Sequence, residues 1–203
     1  MINREELPTA ENSSNMNRVA DASQEIGTTL ENLKAAVLGE TGASTKYAAY
    51  AQAADEAGKT QVGRMFRAAS FAEQVHIRLE SALVRAEEPD YENPTAAAPA
   101  ELPPVDLMLI DAAYGEIYET SDMYPGFIAK AQKEGKDAAA KVFAKAKLAE
   151  SVHAETYLAA YNNLDAIDDE AYYVCPGCGY IHKGKEIKAC PICGAVFAAF
   201  KEF

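Results

Sequence analysis

Two Glu-x-x-His pairs and two Cys-x-x-Cys pairs are the residues of this 203-residue sequence best suited to chemistry. Glu73 and His76, like Glu150 and His153, stand three positions apart, which on a helix sets both side chains on one face. Each pair can then hold one metal ion. Together they use two of the three histidines in the chain, so the repetition does not follow from a histidine-rich composition. Cys175 and Cys178 are separated from Cys190 and Cys193 by eleven residues, and each second cysteine precedes a glycine, Gly179 or Gly194. Such knuckles let backbone N–H groups turn toward sulfur and suit a tetrahedral four-thiolate site. Zinc and iron both accept that geometry, and the spacing alone puts a zinc ribbon first.

The Glu-x-x-His pairs belong to a longer repeat. Tyr47, Gly58, Lys59, Phe66, Glu73 and His76 recur 77 positions later as Tyr124, Gly135, Lys136, Phe143, Glu150 and His153. Packing alone does not require Glu and His to recur together. Di-iron bundles combine such pairs with one glutamate from each of two further helices. Glu40, 33 residues before Glu73, and Glu116, 34 before Glu150, fit that place and are expected to bridge the metals. Glu116 precedes Tyr124 by eight positions where Glu40 precedes Tyr47 by seven, which predicts a π-bulge to absorb the extra residue. Glu119 has Gly42 as its counterpart, so one half of the repeat carries an additional carboxylate facing the metals. Burying so many acidic and imidazole groups without cations is prohibitive, and their mixture suits iron or manganese; iron is the expectation.

Four helices are needed to position these groups. Thr28 and Glu31 have the spacing of a capping box, opening a helix that runs to about Ala57, where Gly58 ends it. A second spans Thr60 to about Glu88. The stretch from Pro89 to Pro104, with five prolines, reads as a crossover. A third helix is expected from Val105 to Glu134, ending at Gly135, and a fourth from Asp137 to Ile167. Hairpin, long crossover, hairpin is the order of a ferritin-like four-helix bundle. Residues 1–27 show no sustained apolar period and read as a mobile arm, 28–168 as the bundle, and 169–203 as a small metal-binding domain. Its aromatic residues, Tyr172, Tyr173, Tyr180, Phe197 and Phe200, supply a small core.

A formal net charge of -12 argues against nucleic acid or an anionic membrane as partner. No apolar run approaches a membrane span, and Met1 to Ala20 lacks the pattern of a secretory leader. Cytoplasmic location is expected, and cysteines confined to two pairs near the end favour metal over disulfides.

Gly39-Glu40, Glu73-x-x-His76, Gly115-Glu116-x-x-Glu119, Met123-Tyr124-Pro125, Glu150-x-x-His153 and the cysteine knuckles together resemble the rubrerythrins over residues 28–203. The resemblance implies a mainly α fold: a ferritin-like bundle followed by a rubredoxin-like β domain. It implies iron ligation by Glu40, Glu73, His76, Glu116, Glu119, Glu150 and His153, with Glu119 and His76 alternating on one iron. Tyr47 and Tyr124 are implied as hydrogen-bond donors to the carboxylates, and Cys175, Cys178, Cys190 and Cys193 as ligands of a single iron, with zinc as a substitute. It further implies reduction of hydrogen peroxide to water, with electrons passed back through the cysteine iron from a donor protein, a rubredoxin or a reductase. A homodimer is implied, swapped or unswapped, an assembly that can place one subunit's cysteine iron near the other's di-iron site. The arm before Thr28 is longer than the family pattern, and the gap between the cysteine pairs slightly shorter. A ferroxidase or iron-handling bundle with a structural zinc ribbon is the alternative; it has no need of a redox-active cysteine iron.

Overall fold

The computed structural model describes residues 27–165 and 169–203. The expected arm therefore lies outside the described residues except for Gly27. Helix α1 spans Thr29–Glu56 and opens on the expected capping box: Glu31 N–H donates to Thr28 Oγ1 at 3.3 Å, and Thr28 N–H to Glu31 Oε2 at 2.7 Å. Helix α2 spans Thr60–Glu87. Between them Gly58 sits at φ 74°, a region open to glycine without Cβ strain, while Lys59 N–H reaches back to Ala54 O at 2.8 Å. The second hairpin turns identically, with Gly135 at φ 69° and Lys136 N–H on Ala131 O at 2.8 Å. The repeat thus extends to backbone hydrogen bonding.

The third expected helix is divided. Helix α3, Val105–Tyr118, passes into a π-helical turn at Glu119–Met123 and then into α4, Tyr124–Lys133. The turn absorbs the extra residue between Glu116 and Tyr124, so both side chains face the interior. Pro125, without an N–H to donate, follows directly on this turn as the second residue of α4. Helix α5 spans Asp137–Asn162, followed by turn residues 163–165. It stops short of the expected Ile167, which itself lies outside the described residues. Residues 89–104 form no helix or strand and cross from the first hairpin to the second.

Hairpin α1–α2 and hairpin α3/α4–α5 face each other around two apolar clusters. One contains Tyr47, Phe66 and Tyr157; the other contains Leu33, Tyr124 and Phe143. Buried acids lie between them. After the bundle, β1 (Tyr172–Val174) pairs antiparallel with β2 (Ile181–Lys183) on one side and β3 (Lys201–Glu202) on the other. Tyr172, Val174 and Ile181 pack into the bundle's own core with Tyr47 and Phe66. The expected aromatic core is thereby corrected: Tyr173, Tyr180, Phe197 and Phe200 form it, with Tyr173 and Phe197 rings 4.9 Å apart, while Tyr172 faces the helices because alternate strand residues point to opposite faces. Arg64 and Arg78 of α2 donate to the carbonyls of Asp169 and Pro176 at 2.8 and 2.5 Å, fastening the cysteine segment to that helix.

Candidate metal centres

Glu40 from α1, Glu73 and His76 from α2, Glu116 from α3 and Glu150 and His153 from α5 converge in the middle of the bundle, each at most 2% exposed. They form two overlapping groups, Glu40–Glu73–His76–Glu150 and Glu73–Glu116–Glu150–His153, with ligand atoms in each within 4.8 Å of one another. Glu73 and Glu150 are common to both. With Glu73 and Glu150 shared between the groups, they rather than Glu40 and Glu116 are the carboxylates placed to serve both ions. Helices α2 and α5 bring their glutamates to the centre of the cavity, leaving Glu40 and Glu116 at opposite ends.

His76 Nδ1 lies 2.7 Å from Glu150 Oε1 and 3.0 Å from Glu73 Oε2; His153 Nδ1 lies 2.6 Å from Glu150 Oε2. Both imidazoles thus present Nδ1 to the acids. Their Nε2 atoms face the opposite way and meet backbone carbonyls of the first cysteine knuckle, His76 at Cys178 O (3.0 Å) and His153 at Gly179 O (2.9 Å). Donation from Nε2–H fixes the tautomer that leaves Nδ1 free for a metal. Tyr47 donates to Glu116 Oε1 at 2.7 Å, and Tyr124 donates to Glu40 Oε1.

Glu119, the first residue of the π turn, is half-buried and belongs to neither group of four. Burial, and then the charges of Glu40, Glu150 and Glu73, push its pKa up, so it stands close to the cluster. A further buried acid escaped the sequence reading. Glu80, on α2 one turn beyond His76, is fully enclosed and accepts from Tyr124 Oη at 3.0 Å. Its spacing of i+7 from Glu73 was the available signal. Tyr157, the residue 77 positions later, is likewise buried and stands near Glu116.

Glu40 Oε2, Glu73 Oε1, both oxygens of Glu150 and His153 Nδ1 are enclosed and crowd one another at ion-pair distances without forming a well-aligned hydrogen bond. Burial pushes the carboxyls of Glu73 and Glu116 well up, and for both the charge of Glu150 adds to it. Glu150 itself is held below the ordinary range, because the two imidazoles outweigh the effect of burial. For His76 burial acts downward, but Glu150 prevails and raises it. Enclosed oxygen and nitrogen atoms converging in this way fit two hard or borderline cations.

The same shifts carry a pH expectation. An acid raised in the folded state stabilises it below the ordinary value of 4.5, and that contribution is lost as pH rises toward the folded pKa. Raised His76 acts in the same direction, while lowered Glu150 opposes them. Metal-free protein should therefore lose thermal stability between about pH 5 and about pH 8, whereas iron-loaded protein should hold it. Melting curves of the two forms across that range are the check; a metal-free Tm that rises with pH would contradict the expectation.

The four cysteines form the third group, with Cys175 and Cys193 sulfurs 3.4 Å apart and Cys178 and Cys190 sulfurs 3.5 Å apart. A disulfide needs about 2.05 Å. The separations are instead close to the edge of a tetrahedron about one ion with metal–sulfur bonds of about 2.3 Å. Gly179 and Gly194, at φ 78° and 77°, close the knuckles, and Cys193 N–H points at Cys190 Sγ. The hydrogen bond from Cys178 leads the influences that bring the Cys175 thiol down to about 5, so the cluster already favours a thiolate.

A family model described as rubrerythrin matches residues 31–161. Nigerythrin of Nitratidesulfovibrio vulgaris is 59% identical over 190 residues, covering 94% of each chain. Rubrerythrin-1 of Clostridium acetobutylicum is 31% identical over 176 residues, 81% of this chain and 89% of that one. The structure of fully reduced, all-ferrous nigerythrin matches over the whole of both chains with a TM-score of 0.88 and 56% identity; mixed-valent nigerythrin gives 0.85 and 55%. The cysteine segment, which the family model does not reach, is thus included in the match to nigerythrin. The protein belongs to the rubrerythrin family, and its carboxylate–histidine and four-cysteine clusters are that family's di-iron and four-cysteine iron sites.

Proposed function

We propose that this protein is a peroxidase that reduces hydrogen peroxide to water at the di-iron site, with electrons returned through the four-cysteine iron. The observation that carries the reading is the pair of contacts from His76 Nε2 to Cys178 O and from His153 Nε2 to Gly179 O. A one-electron centre whose backbone touches both imidazoles is suited to re-reducing a two-electron site; storage of iron has no use for it. A ferrous pair supplies two electrons and two Lewis-acidic positions for cleaving an O–O bond. Glu40, Glu73, His76 and Glu150 would hold one ion, and Glu73, Glu116, Glu150 and His153 the other, with Glu119 as an exchanging ligand on the Glu40 side. Tyr47 and Tyr124 fix the outer carboxylates by their hydrogen bonds.

In this assignment residues 28–168 form the reacting unit and 169–203 the electron-delivering one. A rubredoxin or a reductase is the external donor, in the reducing cytoplasm where cysteines remain free. The contacts of the knuckle with the histidines of its own chain offer a short route for that delivery. A homodimer, with or without helix exchange through residues 89–104, is the assembly proposed.

The test is anaerobic stopped-flow mixing of reduced, iron-loaded protein with peroxide or with dioxygen, followed by ferric charge-transfer absorption. One equivalent of peroxide per iron pair should complete the oxidation before dioxygen at equal concentration has advanced appreciably. Faster oxidation by dioxygen would favour the ferroxidase alternative. Glu119→Ala should keep the fold and the iron but slow the peroxide step about 10- to 100-fold; an unchanged rate per iron pair would remove its role.

A further inference from the structure

Tyr47, which donates to Glu116 at the edge of the di-iron site, is the innermost of a cluster of buried rings. Its centroid lies 5.8 Å from Phe66, 5.7 Å from Tyr157 and 6.3 Å from Tyr50, and Phe66 and Tyr50 are 5.3 Å apart. The second hairpin repeats the triangle of Tyr47, Phe66 and Tyr50. Tyr124, which donates to Glu40, has Phe143 at 5.8 Å and Phe127 at 6.3 Å, and those two rings are 5.4 Å apart. The three residues of one triangle stand 77 positions before those of the other. Packing accounts for the rings in both halves. It does not account for the one group that differs, the hydroxyl that Tyr50 has and Phe127 lacks.

That hydroxyl donates to Asp111 Oδ2 at 2.9 Å, and Lys46 Nζ meets the same oxygen at 2.8 Å. Tyr50 is 3% exposed, but the Asp111 side chain is 46% exposed, so a proton that it receives can pass to water. Burial, and then the hydrogen bond to Asp111, hold the phenol above its ordinary range, so Tyr50 carries its proton at neutral pH. In the second hairpin the places of Lys46 and Tyr50 are taken by Met123 and Phe127, and the device is missing. A buried phenol gives up an electron readily only where its proton has somewhere to go, since the alternative is a buried cation. From this asymmetry we infer that Tyr50 is a one-electron reserve for the di-iron site, oxidised through Tyr47 while its proton passes to Asp111.

This rests on the peroxidase reading. The four-cysteine iron carries one electron at a time, so the di-iron site passes through a half-reduced state whenever it is restored. Peroxide needs two electrons and two protons to become two waters. A site caught half-reduced, with the cysteine iron oxidised, holds only one of those electrons. Tyr50 gives the second: the electron passes by way of Tyr47, the hydroxyl proton goes to Asp111 and on to solvent, and a neutral tyrosyl radical is left among the rings. Water supplies the two protons that peroxide takes up. The next electron from the donor, with a proton returned through Asp111, restores the phenol. Peroxide is thus reduced completely even when the donor is late.

The test uses iron-loaded protein reduced in part, so that a share of the di-iron sites shows a mixed-valent EPR signal, mixed with peroxide and rapidly frozen. A tyrosyl EPR signal should appear as the mixed-valent signal disappears, and it should narrow in protein made with ring-deuterated tyrosine. Fully reduced protein, whose site holds both electrons, should give none. Tyr50→Phe should lose the radical while keeping fold and iron, because phenylalanine is what the second hairpin carries at that place. Asp111→Asn can still accept the hydrogen bond but not the proton, and there the radical should form about 100-fold more slowly. A radical of undiminished yield in Tyr50→Phe would place the reserve on another residue and overturn the assignment. Loss of the mixed-valent signal in the wild type with no radical formed would overturn it as well, leaving the peroxidase reading intact. If peroxide raises no ferric absorption even in fully reduced protein, the peroxidase reading falls and this proposal falls with it.

Discussion

Cys178→Ser is expected to lower iron content from about three to about two per chain and to remove donor-driven turnover, while leaving the reduced di-iron site able to react once with peroxide. Serine is close to cysteine in size, and the group at position 178 that touches the di-iron site is the backbone carbonyl, which the substitution keeps. The buried sulfur, 3.5 Å from Cys190 Sγ, is what is lost. Steady-state turnover should fall by more than the roughly 10- to 100-fold that losing a supporting partner costs a metal site. Iron analysis, single-turnover oxidation and donor-driven assays on one preparation separate these effects. Normal steady-state turnover in the variant would mean that electrons reach the di-iron site by another route.

Gly179→Ala should be far more damaging than Gly194→Ala, although the two glycines hold equivalent places in the two knuckles. Both have positive φ, so each alanine incurs about 1–2 kcal/mol of backbone strain. At Gly194 a Cβ would meet nothing within 4 Å. At Gly179 it would lie 2.3 Å from His76 Nε2 and 3.0 Å from two ring carbons. The fully buried imidazole has no space to retreat, so either the ring turns away from Cys178 O or the knuckle lifts from the bundle. Gly179→Ala should therefore lower Tm well beyond Gly194→Ala and reduce iron bound at the carboxylate cluster. Equal effects on Tm and iron content in the two variants would show that the packing against His76 is not what constrains position 179.

Much of this architecture is legible in local sequence because local rules determine it. Thr28 and Glu31 fix the start of α1, and Gly58 and Gly135 fix the two hairpin turns through a backbone conformation that glycine adopts without strain. Counting eight residues from Glu116 to Tyr124 against seven from Glu40 to Tyr47 was enough to locate the π turn. What depends on three-dimensional convergence was less visible. Which glutamates are placed to serve both ions is set by how far α2 and α5 advance into the cavity, and spacing along one helix does not contain that distance. Glu80 was hidden for a related reason: a lone glutamate on a helix usually faces solvent, and only the approach of Tyr124 from the other hairpin makes this one an interior group. The contacts of Cys178 O and Gly179 O with the histidines depend on how the cysteine segment docks on the bundle. No periodicity in the chain records that docking.

The crossover at residues 89–104 has an implication of its own. Each hairpin carries half of a metal site: one outer glutamate, one Glu-x-x-His pair and one tyrosine that reaches across to the opposite half. Two separate, identical hairpins could assemble the same cage about a twofold axis, but every feature of one would then appear in the other. Glu119 opposite Gly42, and Glu80 opposite Tyr157, are differences that no pair of identical chains can hold. Carried on one polypeptide, the halves are free of that symmetry, so one metal position can differ from its twin while the shared cage is kept.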